Sequence, residues 1–417
     1  MTTQKKLKAR VRDRMTRTGE RYAAARAALL GDLHRTRPPR ARHDQTFALR
    51  RVLEGRGLVL PETHTAPTES WLLGLGGGIG VQVFTFQYKG VPPLLYVGTR
   101  CAHQYAYDPK LMVRALEGLG LTAQVDETGS VKKADQTLTA RLADGPVVAW
   151  VGLEALRGVP SPAGATPWTV VVHDRHESED GVVYAIEDAD RGSFEVTAAH
   201  LATARKAVKK AKHRLLTPVG SGPGLSAEAI HAAVRFCVDE LDGVHAVRGH
   251  GANFGLRALE RWASNARGKT KTSWRKVFSP GPALLVGRVQ GYGWIEHATG
   301  GGAFRAMYAE FLSEAAAITS DAALSEAARA VAHTSTQWSA LAAFLLDDAD
   351  PILATCRSRI QATGWPMPPT AIGDYAALAT NLPDGWGTHF YDALADRLDQ
   401  LLDAERASRD ALAAVGG

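Results

Sequence analysis

Cysteine is scarce in this chain. Three thiols, Cys101, Cys237 and Cys356, are scattered through 417 residues. An odd number so widely spaced builds no disulfide framework and points to a reducing, cytoplasmic setting. Long apolar runs are missing too, since no stretch approaches the roughly 18 consecutive apolar residues of a membrane helix. A membrane partner is therefore not expected. The N-terminus is basic but has neither an apolar h-region nor a small-residue cleavage site, so no secretory signal is visible. Neither CxxC nor HExxH spacing occurs, which leaves no metal to expect. No cofactor is called for, and no internal repeat is apparent.

What the chain does have is length, an ordinary globular composition and an uneven charge. Hydrophobic residues make up 45% and charged residues 22% of the sequence, a balance that excludes wholesale disorder. A chain of this size divides into two cores plus an extension. The net charge of +6 is concentrated at one end: residues 1–42 hold 13 Lys/Arg against three acids, Asp13, Glu20 and Asp32. Two short amphipathic runs within 4–33 and the linker around Pro38-Pro39 describe a basic helical arm. Such an arm suits an acidic partner or nucleic acid, or packs as a solvated helical hairpin on the body.

Residues 43–219 mix helical and strand patterns. A helical stretch near 44–56 leads to the glycine cluster Gly74–Gly80, and alternating Val81, Val83 and Phe86 then suggest a strand. Val147–Val151, Val170–Val172 and Val182–Ile186 read as further strands, and 197–214 as a lysine-rich helix. The run Pro218-Val219-Gly220-Ser221-Gly222-Pro223-Gly224 reads as a linker. Beyond it, 225–417 is almost wholly helical in pattern, with Ser226 an N-cap and a leucine stripe at 394, 398, 401 and 402.

Several motifs together carry a family resemblance. His43-Asp44-Gln45-Thr46-Phe47-Ala48-Leu49 resembles the opening His-Cys-x-Thr/Ser-x-Ala-Leu of the butirosin biosynthesis protein H family. The run Gly74 to Gly80 is similar to its glycine signature, and Val183-Tyr184-Ala185-Ile186-Glu187-Asp188 to a later strand ending in an acid. Asn253-Phe254-Gly255 and His297 through Tyr308 resemble the helical domain that commonly follows. The likeness runs in order from about 40 to 345. It implies an α+β architecture: a papain-like, cysteine-hydrolase-type N-terminal domain and a mainly α-helical C-terminal domain, here preceded by the basic arm. It also implies acyl transfer in specialised metabolism, from a carrier-protein thioester to a small-molecule amine. The chemistry of such a site requires a thiolate at a helix N-terminus, a histidine relay and an acid that orients it.

This chain departs from that pattern where the chemistry lies. Asp44 stands at the cysteine position, where a carboxylate nucleophile would give a reactive anhydride; it suits a helix N-cap instead. The histidine position falls near Trp168-Thr169, with His173 and His176 a few residues later, and a shift of register would bring His173 into place. Asp188 is the matching acid, and His43 and Gly76, Gly77 and Gly78 flank the expected cleft. Cys101, two residues from His103, is a candidate relocated nucleophile or an inert buried thiol. Gly300 and Gly301, followed by Arg305, suit an anion at the start of a helix, or a tight turn with Arg305 paired to an acid. The resulting expectation is a degenerate acyltransferase scaffold, a pseudoenzyme that binds a small molecule, an acyl-carrier protein or a partner enzyme. The alternative is an active acyl- or aminoacyltransferase with a shifted site built from His173, Asp188 and Cys101.

Overall fold

The computed structural model describes residues 42–415, apart from 62, 91, 102–106, 159–164, 180, 221, 223, 366–374 and 376. The basic arm expected over 1–42 lies outside these residues except for Arg42, as does His103. By compactness the chain divides into two discontinuous units: Met1–Leu72 with Tyr105–Leu225, and Leu73–Gln104 with Ser226–Gly417. The segment bearing the glycine cluster thus groups with the C-terminal residues rather than with its sequence neighbours. The protein is a mixed α/β structure with a six-stranded antiparallel sheet. Among the described residues no helix is long and apolar enough to cross a membrane.

The first unit holds helix α1 (Asp44–Gly55) and, after α2 (Glu69–Leu75) leads the chain out, the six-stranded sheet. On the chain's return from the hairpin β1 (Ile79–Phe86) and β2 (Leu94–Arg100), which belongs to the second unit, come α3 (Lys110–Gly118), β3 (Thr122–Asp126), α4 (Val131–Leu142), β4 (Val147–Gly152), α5 (Leu153–Arg157), β5 (Pro167–Ser178), β6 (Gly181–Asp188), β7 (Gly192–Thr197), α6 (Ala198–Ala207) and β8 (Leu215–Val219). The strands run in the order β3-β8-β4-β5-β6-β7, all antiparallel. Every residue of β4 is buried, as its unbroken apolar run requires of a strand covered on both faces. Strand alternation then sorts the neighbours. Val170 and Val172, with Tyr184 and Ile186, face a core supplied by Leu138 of α4, Leu156 of α5 and Leu201 and Ala204 of α6. The opposite face receives α1, whose buried Gln45, Ala48, Leu49, Val52 and Leu53 recur at helical spacing.

Two boundaries differ from the sequence reading. The lysine-rich helix expected to reach 214 stops at Ala207, because Lys212 (φ 47°) and His213 (φ 53°) adopt left-handed backbone that turns Leu215 and Leu216 into β8. Pro218 and Val219 end β8 instead of opening a linker. A proline is tolerated there because β4 pairs only with Leu215 and Leu216, leaving one side of Pro218 outside that ladder.

The second unit begins with the β1 (Ile79–Phe86) and β2 (Leu94–Arg100) hairpin, followed from 226 by helices α7 (Ala227–Leu241), α8 (Leu256–Arg267), α9 (Trp274–Val277), α10 (Pro282–Tyr292), α11 (Arg305–Thr319), α12 (Ala322–Leu345), α13 (Pro351–Thr363) and α14 (Phe390–Ala413). Side-chain caps fix several starts: Ser226 accepts from Ala229 N–H, Asp321 from Ala323 N–H, and Asp350 from Ile352 and Leu353 N–H. The glycine cluster is where backbones close up. A Cβ on Gly80 would sit 2.7 Å from the Arg100 carbonyl oxygen, and Gly77 (φ 119°) and Gly78 (φ 72°) hold conformations that side chains resist.

Candidate functional site

The N-terminus of α1 carries the motif expected to do chemistry. Its N-cap is His43 rather than Asp44: the imidazole Nδ1 accepts the Thr46 N–H at 3.3 Å. Asp44 is the first helical residue. One turn further on, Thr46 Oγ1 and, with it, the His43 N–H donate to Glu69 Oε2 at 3.1 and 3.3 Å. Burial is the main influence on Glu69 and lifts its carboxyl above the ordinary range, against those two hydrogen bonds.

Asp44 aims at β5. Its Oδ2 accepts both the backbone N–H of Thr169 at 3.3 Å and the Thr169 hydroxyl at 3.0 Å. Thr169 is 1% exposed. The residue facing the helix start is therefore a buried threonine, which has no group able to shuttle a proton near neutral pH. Its own hydroxyl is closed to any substrate.

His173 is on the same face of the sheet but not at the same place. It lies four residues along the strand from Thr169, about 13 Å away at strand spacing. There its Nε2 meets Glu187 Oε2 at 2.9 Å, and Arg51, two turns down α1 from Asp44, donates its Nε to the same oxygen at 2.9 Å. Burial works to raise the Glu187 carboxyl, but the hydrogen bonds from His173 and Arg51 and their charges outweigh it and hold it below the usual range. A register shift therefore does not rescue His173 as a partner for Asp44; a β-bulge between Val172 and Asp174 places it beside Arg51 instead.

Asp188 points the other way. It pairs across the ladder with Val170 on the face packed by α4, α5 and α6. Its Oδ1 accepts from Trp168 Nε1 at 3.3 Å and from the Asp190 N–H at 2.7 Å, while Oδ2 has no hydrogen-bond partner among the described residues. Fully buried, the carboxyl is pushed up from its ordinary value by desolvation. The sheet thus joins Asp44 to Thr169 on one face and Trp168 to Asp188 on the other; the acid on the Asp44 face is Glu187. The sequence reading chose Asp188 and passed over Glu187 and Arg51. Helical spacing puts Arg51 on the Asp44 side of α1, seven residues on, whereas Glu187 is selected only by the β5–β6 register that pairs it with Val171.

The remaining candidates belong to the second unit. Cys101 is 1% exposed, its Sγ lying 4.0 Å from the Gly76 carbonyl oxygen, and none of the three cysteines forms a disulfide. Gly76, Gly77 and Gly78 are buried; a Cβ on Gly77 would meet Cys101 and Phe236 at 2.9 Å, and one on Gly78 would meet Tyr308 at 2.6 Å. These glycines pack a core rather than opening a loop. Burial pushes the neighbouring Cys237 thiol up to about 12, so it stays protonated.

Gly300 to Phe304 form a run of five positive φ angles (68°, 109°, 58°, 55° and 65°). Within it the Gly302 N–H donates to Glu296 Oε2 at 3.2 Å, and the Gly301 N–H to the Glu296 carbonyl at 2.9 Å. Arg305 is completely buried. Its Nε and Nη2 reach Glu405 Oε1 at 2.8 and 2.7 Å, Nη1 reaches the carbonyls of Thr99 and Ala303 at 2.8 Å, and Nη2 that of Gly80 at 2.9 Å. The expected anion seat is thus filled from within the chain. Of the two readings of this motif, the geometry matches the turn with an internally paired arginine. Among the described residues no group of three or more His, Cys, Asp or Glu is placed to hold a metal ion.

Comparison with known proteins adds one match. Residues 197–351 fit the family model described as a domain of unknown function (DUF4872). That span opens in the first unit, at α6 and β8, and continues through α12 of the second. No curated protein matches the chain.

Proposed function

We propose that the first unit is a papain-like acyltransferase scaffold that has lost its chemistry, and that the protein acts by binding a small molecule, an acyl-carrier protein or a partner enzyme. The observation that carries this reading is the Asp44–Thr169 pair. A helix whose N-terminus packs on an antiparallel sheet is the frame in which a thiolate and an imidazole would meet. In this chain a carboxylate and a buried hydroxyl occupy those places and satisfy each other. Neither attacks a thioester to give a stable acyl intermediate, and neither relays a proton to an amine. The resemblance to the butirosin biosynthesis protein H family motivates the substrate class, and the fold alone does not fix it. A shifted site has less support: His173 is engaged with Glu187 and Arg51, Asp188 faces the opposite side of the sheet, and the Cys101 thiol is buried.

Intact-protein mass spectrometry after incubation with acyl-carrier-protein thioesters tests the proposal. Wild type is expected to stay unmodified, whereas Asp44→Cys, alone or with Thr169→His, is expected to gain one acyl group. An adduct on wild type that disappears in Cys101→Ala would overturn the degenerate reading. So would multiple-turnover amide formation by wild type.

A further inference from the structure

The turn that ends α6 gathers positive charge that no described acid answers. Lys206, Lys209, Lys210 and Lys212 are all exposed within seven residues, and Lys132 and Lys133 are exposed on the first turn of α4. Two hydrogen bonds hold these segments side by side: Thr128 N–H to the Lys212 carbonyl at 2.8 Å, and Arg205 Nη1 to the Ala134 carbonyl at 3.3 Å. Nearby acids are engaged elsewhere, Glu127 with Arg214, Asp126 with Arg141, and Asp135 with the Tyr184 hydroxyl. Beneath the lysines Arg205 is 3% exposed and bonded to backbone carbonyls, so its charge adds to the field. Residues 43–72 and 105–225 together carry 17 Lys/Arg and 19 Asp/Glu. The lysine face is therefore a segregation of charge on a unit body that is slightly acidic overall.

We propose that this face docks the phosphate backbone of a nucleic acid, without reading its bases. Six ammonium groups suit a linear array of phosphates, which needs point charges and no side-chain fork. A protein partner fits less well. Protein interfaces are depleted in lysine and built around apolar or aromatic anchors, and Val131 is the one large apolar side chain exposed at this face among the described residues. Tyr107, whose ring lies 4.9 Å beneath Lys210 Nζ, stiffens one of the cationic heads. Left-handed backbone at Lys212 and His213 turns the chain sharply between the lysine-bearing segment and β8. Base-specific readout relies on arginine or amide pairs reaching groove edges, and the lysines make no such set.

Anisotropy of a labelled duplex of about 24 base pairs, titrated with full-length protein at several salt concentrations, tests this. Six phosphate contacts predict a log–log salt slope near −5, steeper if the basic arm joins in. In K206Q/K209Q/K210Q/K212Q, with an unchanged melting temperature, affinity at low salt is expected to fall more than tenfold and the slope to flatten by about 3.6. Wild-type affinity and slope in that variant would overturn the proposal and leave the arm as the cause of any binding. Tighter lysine-dependent binding to poly-glutamate or to phosphatidylserine vesicles than to the duplex would overturn it as well. Should the variant fail to fold, acetylation footprinting of wild type decides: the duplex must shield Lys206, Lys209, Lys210 and Lys212 but not Lys269 or Lys271 of the second unit, and equal labelling with and without the duplex sinks the idea.

Discussion

Replacing Arg305 by methionine separates an internal clamp from a ligand site. The guanidinium joins α11 to α14 through Glu405 and ties both to the hairpin through the Gly80 and Thr99 carbonyls. Methionine fills a similar space but leaves Glu405 buried and without its cation. Breaking one half of a buried pair costs about 3–5 kcal/mol, a large share of a domain stability of about 5–15 kcal/mol. For a unit of this size each kcal/mol moves the midpoint by about 2–4 °C, so a fall in Tm of about 6–20 °C is expected by calorimetry or circular dichroism. The double variant Arg305→Met, Glu405→Leu removes both charges and should recover part of that loss. Recovery would be incomplete, because Trp338 Nε1, which donates to Glu405 Oε1 at 2.5 Å, loses its acceptor, and three backbone carbonyls lose a donor. A single variant melting within about 2 °C of wild type, or a double variant worse than the two single changes combined, would refute the reasoning and return Arg305 to the list of ligand contacts.

Further outcomes follow from packing and from burial. A methyl group on Gly74 would lie 2.2 Å from the ring of the buried Phe311; Gly74→Ala is expected to cost about 1–3 kcal/mol, and Phe311→Leu should recover part of it in urea melts. Asp188 has a folded-state pKa raised by burial, so its contribution is fully present below the unfolded value near about 4 and is lost as pH rises through the folded one. Asp188→Asn should therefore gain Tm relative to wild type on going from pH 4.5 to pH 8; a constant difference across that range would contradict the assignment. These join the mass-spectrometric test of Asp44→Cys and the salt titration of the lysine face.

The sequence made some parts of this structure plain and concealed others, for identifiable reasons. Helices α1, α11, α12 and α14 are legible because their apolar stripes and caps are local properties, as at Ser226 ahead of α7. Strands β3 and β8 are harder. Thr122–Asp126 is only partly buried, and Leu215–Val219 ends in proline, so neither shows alternation over a useful length. At the site, motif spacing located Asp44 and the Trp168-Thr169 position, but which of two adjacent residues faces the helix is a tertiary fact. A shift of one position exchanges Thr169 for Trp168 and Glu187 for Asp188. For Arg305 the sequence left two readings, an anion seat and a turn with an internal ion pair, and could not name the acid, because Glu405 is 100 residues away.

The interleaving of the two units has a consequence for synthesis. The β1–β2 hairpin leaves the ribosome early, yet Gln290 and Trp294, which bond Leu95, and Cys237, whose thiol donates to the Ile79 carbonyl, all arrive after the whole of the first unit's sheet has been made. At about 5–20 residues per second, a gap of about 120 residues leaves a hairpin with Ile79, Val81, Leu95 and Val97 uncovered for roughly 6–24 seconds. A nascent chain halted anywhere in that window carries an apolar ribbon whose partners Cys237, Gln290 and Trp294 are still unmade, which is the state a chaperone recognises and a second nascent chain would pair with.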